Sequence, residues 1–279
     1  MWFIFAVGSA CFYSMLWIVA RMSKGIPTVV VTASQYAYGP ILLLFVYNTV
    51  EYPWDQTWWW AYLVLPFFFI PLMGWAMTYV LHQTQVTVVK PLFGLSSISA
   101  LLVASLFFGE TVTGYGVAGI FLVAFGLLSL YHGRWEVWKE NGPWISLFGA
   151  FVFGANGAIV GAVLARFPHI LAFSGIVMTG HFLATGIPAT TKIKDVKWDR
   201  RTVLILLTIM IAMLGQDMFT LIALSLGPSP YVIAVKRTSI LLTAVIGYAF
   251  LHERDQSLQR LLLSSGLVVA GVVLLTVVK

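Results

Sequence analysis

Two adjacent cations, Lys236 and Arg237, lie inside a stretch of the chain that is otherwise apolar, residues 231 to 251. A charge at the centre of a membrane helix costs at least ~2.5–3.5 kcal/mol, so such residues usually pair with another group or form a binding site. Arg offers a planar fork that binds a phosphate or carboxylate through two hydrogen bonds, and Lys offers a point charge. The pair therefore predicts a site for an anion.

Asp217, on the preceding apolar stretch, can lie in the same layer as the two cations. A rise of ~1.5 Å per residue places the cations roughly 8–9 Å below the outer membrane boundary and Asp217 some 12 Å below it. Two interpretations of Asp217 stay open. It either neutralises one cation as a buried ion pair, which leaves one cation over, or it takes part in proton coupling.

Other polar side chains within apolar stretches could bind a substrate by hydrogen bonds, or could join helices by hydrogen bonds worth under ~1–2 kcal/mol. Lys90 is a third cation, near one end of its stretch, where its side chain either reaches water or contacts the anion from the cytoplasmic side. The predicted substrate-binding residues are Lys236, Arg237, Asp217, Gln216, Lys90, Asn156, Tyr79 and Ser239.

The composition determines which elements must position these residues. Of 279 residues, 60% are hydrophobic and 9% are charged, so the chain is predicted to be an all-α membrane protein. About 20 apolar residues cross a bilayer as a helix. By that measure ten transmembrane spans are predicted, at residues 2–20, 29–48, 59–81, 86–108, 114–131, 143–165, 169–189, 202–225, 231–251 and 260–278.

The basic residues outside the spans are distributed unevenly between alternate loops. Arg166 and Lys279 lie on one side, and eleven residues lie on the other: Arg21, Lys24, Arg134, Lys139, Lys192, Lys194, Lys197, Arg200, Arg201, Arg254 and Arg260. The positive-inside rule places the larger set in the cytoplasm and both termini outside it. Trp54, Trp58, Trp59 and Trp60 are expected to form an aromatic belt at the outer surface.

The two halves of the chain share a pattern. Ser-Leu-Phe-Phe-Gly-Glu ends at Glu110 and Tyr-Ala-Phe-Leu-His-Glu ends at Glu253, 143 residues later, and a glycine-rich span follows each. Five spans per half is an odd number, so the second half is predicted to be inverted relative to the first. The predicted units are residues 1–131, a connector at 132–142, and residues 143–279. Glu110 and Glu253 are interpreted as architectural carboxylates that cap the helix that follows each of them or pair locally, as Glu253 could with Arg254.

This layout of ten short spans, with a Gly-Glu or His-Glu corner after spans 4 and 9, resembles the drug/metabolite transporter superfamily of the EamA type. The resemblance implies a basket of ten helices around a central cavity, alternating access, and export or exchange of metabolites. Lys236 and Arg237 resemble the Lys-Arg pair on the ninth helix of phosphate translocators and nucleotide-sugar transporters, which implies that they bind a phosphate. The implied location is a prokaryotic inner membrane.

Several catalytic classes have no motif in the sequence. It lacks a Gly-x-x-x-x-Gly-Lys-Ser/Thr loop, a His-Glu-x-x-His pair, a Cys/His cluster and a Gly-x-Ser-x-Gly elbow. We therefore expect no enzyme activity, no cofactor and no metal, and transport driven by gradients or exchange. The formal charge of +6 comes mainly from short loops and does not indicate nucleic acid binding.

The predicted function is a secondary transporter, an exporter or exchanger, of a small organic anion, and the resemblance implies a phosphorylated one. Its predicted partners are that small-molecule substrate and the lipid bilayer, and both a monomer and a homodimer stay open. Two alternatives also stay open: export of amino acids or other zwitterions, and a flippase for a lipid-linked phosphate.

Overall fold

The structure is a computed structural model that describes residues 1–83, 90–130, 141–250 and 258–277. Within these ranges the chain is helical and contains no strand. The α-helices are α1 (Trp2–Met22), α2 (Thr28–Tyr36), α3 (Tyr38–Val46), α4 (Thr57–Val64), α5 (Ile70–Gln83), α6 (Ser96–Phe107), α7 (Gly114–Leu128), α8 (Asn141–Arg166), α9 (Ile170–Thr190), α10 (Arg200–Leu226), α11 (Ser229–Lys236), α12 (Ser239–Phe250) and α13 (Leu258–Val277). A π-helix, Leu65–Phe69, joins α4 to α5, and short 3₁₀ helices lie at Tyr47–Thr49, Lys90–Leu95 and Ile193–Asp195.

The apolar helices that correspond to the predicted spans fall into two length classes. Seven segments of the described ranges are long and apolar enough to cross a membrane: Trp2–Met22, Thr28–Thr49, Gly142–Arg166, Ile170–Thr190, Arg200–Leu226, Ser229–Ile246 and Gln259–Val277. Three shorter apolar helices lie where spans 3, 4 and 5 are predicted: Phe67–Val80, Pro91–Phe107 and Gly114–Leu128. The chain is thus a multi-pass, all-helical membrane protein, and ten crossings stay a prediction.

Two of the predicted continuous spans are interrupted. The second span divides into α2 and α3 at Ala37, because Pro40 has no N–H to bond the carbonyl of Tyr36 four residues earlier. The ninth span divides into α11 and α12 at Arg237 and Thr238, where Thr238 N–H bonds the carbonyl of Val235 at 3.0 Å in a tighter, three-residue turn. The second interruption lies at the cation pair itself.

The helices pack in pairs that join the two halves of the chain. Helix α1 packs on α10, α7 on α13, α9 on both α2 and α3, and α6 on α8. Helix α11 then fits between α1, α6 and α8. This arrangement surrounds α11 with other helices, so the segment that carries the cations is inside the bundle rather than at the lipid surface.

Candidate functional site

A central cavity lies among seven helices, α1, α2, α5, α8, α9, α10 and α11. The volume of this cavity that the centre of a water molecule can occupy is about 110 Å³. One water needs roughly 10–15 Å³ by that measure, so the cavity has room for a small molecule. Most of its wall is apolar, and the polar groups that line it come from residues far apart in the chain.

Arg237 lines this cavity and is buried, with 2% of its surface exposed. Its Nε donates a hydrogen bond to Ser96 Oγ on α6. Its guanidinium carbon lies 5.5 Å from the ring centre of Phe93 and 5.7 Å from that of Tyr13, which is the range of cation–π contacts. Its Nη1 is buried and has no hydrogen-bond partner in the described residues. A strong donor in this state favours an anionic partner.

Lys236 also lines the cavity, and its Nζ lies 5.2 Å from the ring centre of Tyr13. Gln216, on α10, faces it. When the Gln216 amide oxygen points toward the donors around it, it accepts from Lys236 Nζ at 3.1 Å and from Thr220 Oγ1 at 3.2 Å. Gln216 is neutral, so this hydrogen bond orients Lys236 without cancelling its charge.

Asp217 is buried at the cavity wall, but its carboxylate is held by hydroxyl groups rather than by a cation. Oδ2 accepts from Tyr38 Oη at 3.0 Å and from Ser174 Oγ at 2.5 Å. In the described ranges no ion pair within 4.0 Å joins Asp217 to Lys236 or Arg237, and the ion pair found there is Lys192–Asp195. The structure therefore does not form the direct ion pair that one interpretation of Asp217 predicted. Two hydroxyl groups bond the carboxylate, although its charge still interacts with that of Lys236.

The structure brings five of the predicted site residues to one cavity: Lys236, Arg237, Asp217, Gln216 and Asn156. The three charged residues among them therefore face one common space. The side chain of Lys90 lies outside the described residues, although Lys90 begins the 3₁₀ helix Lys90–Leu95.

Tyr79 and Ser239 do not reach the cavity lining. Met77 and Thr78 face the cavity, so Tyr79, one residue further along α5, points away; it is 46% exposed and lies beside Trp75. Ser239 is buried, and its carbonyl accepts a hydrogen bond from Ser14 Oγ on α1 at 3.0 Å. These two residues therefore contact other parts of the bundle.

Sequence reasoning missed the hydroxyl groups that hold the charged side chains. Ser174 lies within α9 and Ser96 is the first residue of α6, and both lie among small and apolar residues, a pattern that also occurs in ordinary helix packing. Tyr13 is separated from the cations by more than 200 residues. The sequence contains no local signal for such contacts, because they depend on how α1, α6 and α9 pack around α11.

Aromatic residues pack beyond the cavity on the side of the predicted outer loops. Phe173 lines the cavity and its ring centre lies 6.2 Å from that of Trp59, which lies 5.2 Å from Phe167. Trp59 is fully buried, so it is a packing residue rather than a member of the predicted aromatic belt. The ring centre of Tyr52 lies 5.8 Å from that of Phe167, with the two rings tilted. Burial, followed by the charge of Tyr47, raises the pKa of the Tyr52 hydroxyl.

Glu110 caps the helix that carries the cations. Its Oε2 accepts from Ser229 N–H at 2.9 Å and its Oε1 accepts from Ser229 Oγ at 2.7 Å, at the first residue of α11. The same first turn is held by Tyr231, whose hydroxyl lies 3.2 Å from Thr113 Oγ1. Glu110 is thus architectural, but it caps a helix of the other half of the chain; the helix that follows it, α7, is capped by Thr113. Glu253 lies outside the described residues.

Comparison with known proteins shows which family and which fold the chain resembles. Residues 1–131 match the EamA-like transporter family. A solved crystal structure is similar over 98% of this chain and 96% of its own, with a TM-score of 0.77 and 14% sequence identity. At that identity the likeness shows a shared fold alone. No curated protein matches the chain. The first half of this membrane protein is therefore similar to a transporter family, and its whole length shares a known helical fold.

Proposed function

We propose that the protein is a secondary transporter that binds a small organic anion in the central cavity and moves it across the membrane by alternating access. The match of residues 1–131 to the EamA-like transporter family supports transport. The observation that supports an anionic substrate is the unbalanced charge of the cavity. Arg237 Nη1 is buried without a partner, and the hydrogen bonds of the described acid, Asp217, come from Tyr38 and Ser174.

The anion would bind between Lys236 and Arg237, with a carboxylate or phosphate group accepting from Arg237 Nη1. The rings of Tyr13 and Phe93 and the Oγ of Ser96 fix the guanidinium, so little side-chain entropy is lost on binding. A phosphorylated metabolite meets these requirements, as does a carboxylate.

Helix packing supports two inverted halves as the moving parts of this transporter. In such a repeat, α1 corresponds to α8, and α10 to the segment of α4 and α5. The packing of α1 on α10 is matched by that of α8 on α5, and the packing of α6 on α8 is matched by that of α11 and α12 on α1. Rocking one half against the other would expose the cavity to each side in turn.

Uptake by proteoliposomes tests the proposal. Lys236→Met and Arg237→Met should each lower counterflow of carboxylates and phosphate esters by about tenfold or more, because a hydrogen bond to a charged group is worth ~1.5–3 kcal/mol. Lys197→Met and Arg201→Met change exposed cations outside the cavity and serve as matched controls. Unchanged counterflow in both cavity variants would refute the proposal.

A zwitterionic substrate, such as an amino acid, is a second candidate. Both hydrogen bonds of Asp217 reach Oδ2, and no described residue bonds Oδ1. An ammonium group could bind there while Arg237 binds the carboxylate. Competition by neutral amino acids but not by phosphate esters, together with loss of that competition in Asp217→Asn, would favour this candidate over a plain anion.

A further inference from the structure

Asn156, in the middle of α8, has a buried side-chain amide oxygen, Oδ1, without a hydrogen-bond partner in the described residues. The side chain nevertheless lines the cavity. A buried amide oxygen without a donor is costly, and buried polar groups in native proteins are almost always satisfied. The group that satisfies Asn156 is therefore expected to come from a molecule in the cavity.

Asn156 lies close to the cations. At the neighbouring Gly157, α8 packs closely on Ile233 of α11, one turn before Arg237. A Cβ atom added at Gly157 would lie only 2.5 Å from Ile233 Cδ1. On the other side of Asn156, the ring centre of Phe153 lies 5.7 Å from that of Phe93, the ring that packs on the Arg237 guanidinium. A small ligand held by Lys236 and Arg237 therefore has Asn156 beside it.

We propose that Asn156 is a specificity-determining residue that accepts a hydrogen bond from a donor group of the substrate, while the two cations bind the anionic group. The substrate class is then a small anion that also carries a hydroxyl or amino group near its charge, such as a hydroxy acid, an amino acid or a hydroxylated phosphate ester. Plain carboxylates and alkyl phosphates are poor ligands. This inference rests on the proposed binding of an anion by the cavity.

Selection by Asn156 follows from the cost of an unpaired amide. A ligand with a donor restores the hydrogen bond that water would make, whereas a ligand of the same charge without one displaces water and leaves Oδ1 unsatisfied. A site built to bond a substrate hydroxyl rejects the analogue that lacks it far more strongly than an apolar pocket rejects a missing methylene. No described residue donates to Oδ1 in place of the missing hydroxyl.

Matched pairs of anions test this assignment with the purified full-length protein in nanodiscs. Calorimetric Kd values are compared for propionate and lactate, and for ethyl phosphate and 2-hydroxyethyl phosphate. The wild type should favour the hydroxylated member of each pair by about tenfold or more. Asn156→Leu should bring each ratio close to one, chiefly by weakening the hydroxylated ligand.

Two further variants keep the test interpretable. Asn48→Leu alters an exposed amide outside the cavity and should leave both ratios unchanged. Asn156→Asp keeps an acceptor and adds a negative charge, so it should weaken all four anions while it keeps the preference for the hydroxyl. If Asn156→Leu does not fold, the smaller variant Asn156→Ala also removes the acceptor, and its ratios should likewise fall close to one.

The outcomes separate this inference from the proposed function. Equal affinity of the wild type for both members of each pair would refute the role of Asn156 and leave anion binding intact. A preference that persists in Asn156→Leu would assign the selectivity to another residue and refute the inference. Failure of the wild type to bind any of these anions, or of Lys236→Met and Arg237→Met to weaken binding, would overturn the proposed function instead.

Discussion

Glu110→Gln tests whether the carboxylate at the start of α11 stabilises the helix that carries the cations. In the wild type, the two oxygens of Glu110 accept from Ser229 N–H and Ser229 Oγ. Ser229 is 2% exposed, so water cannot replace a lost partner. Gln has nearly the same size but has one acceptor oxygen and no charge, so it keeps at most one of the two bonds to Ser229 as an acceptor.

The expected loss follows from the two terms that Gln removes. A hydrogen bond to a charged group is worth ~1.5–3 kcal/mol and a neutral one ~0.5–1.5 kcal/mol, so loss of the charge costs about 1–1.5 kcal/mol. The interaction of a carboxylate with a helix N-terminus adds ~0.3–1 kcal/mol. The free energy of unfolding should fall by about 2 kcal/mol, which corresponds to a decrease in Tm of about 4–8 °C.

The assay is thermal unfolding of the purified protein in detergent, followed by tryptophan fluorescence. Glu51→Gln makes the same chemical change at an exposed position in a loop and should leave Tm unchanged. Ser229→Ala should lower Tm less than Glu110→Gln does, because the backbone N–H of residue 229 still bonds the carboxylate. The double variant should show a coupling energy above about 0.5 kcal/mol. Equal Tm values for Glu110→Gln and Glu51→Gln, or zero coupling, would refute this account of the cap.

Three other predictions concern helix packing, the bond to Asp217 and the cap of α10. Gly154→Ala should lower Tm, because its new methyl would lie 2.2 Å from the Ser96 carbonyl oxygen. The control is Gly266→Ala, where the methyl would meet no atom within 4 Å, so Tm should rise through a gain of about 1 kcal/mol in helix propensity. Tyr38→Phe should destabilise the protein by ~1.5–3 kcal/mol through loss of the bond to Asp217, and exposed Tyr115 is the control. The hydrogen bond from the Thr202 backbone N–H lowers the pKa of the Asp199 carboxyl. The stabilisation that this bond gives the folded protein is therefore present above the ordinary carboxyl pKa, and it is lost as the pH falls through the lowered pKa of Asp199. Asp199→Asn should therefore reduce the fall of Tm between pH 5 and pH 2; an unchanged pH profile would contradict this.

The sequence predicted the helical membrane fold and that the charged residues of spans 8 and 9 lie near one another, because span length and helical rise depend only on the chain itself. Gln216, Asp217, Lys236 and Arg237 do line one cavity. Whether a residue points toward the cavity or toward lipid was harder to predict. In a soluble helix the apolar side faces the core, but in lipid both sides are apolar, so no periodicity distinguished outward-facing Tyr79 from the residues beside it.

The partners of the charged groups were beyond sequence reasoning for a different reason. An acid and two cations in one layer suggested an ion pair by charge alone. Buried charges are also stabilised by hydroxyl groups, and Ser174, Tyr38 and Ser96 occur in the sequence without any spacing that links them to Asp217 or Arg237. The interruption of the ninth span was missed as well, because no proline or glycine lies between residues 231 and 246 to indicate it.

The separation of the charges has a physical consequence for binding. Had Asp217 paired with a cation, an anionic ligand would have had to break that pair and leave a buried carboxylate alone, which is strongly unfavourable. Because Tyr38 and Ser174 bond the carboxylate instead, a ligand would not have to break a direct ion pair to reach the guanidinium of Arg237 or the ammonium of Lys236. The Glu110 cap fixes the first residue of α11, and Lys236 follows about 10 Å further along the helix, so the cap also sets the depth at which the ligand would meet the cations.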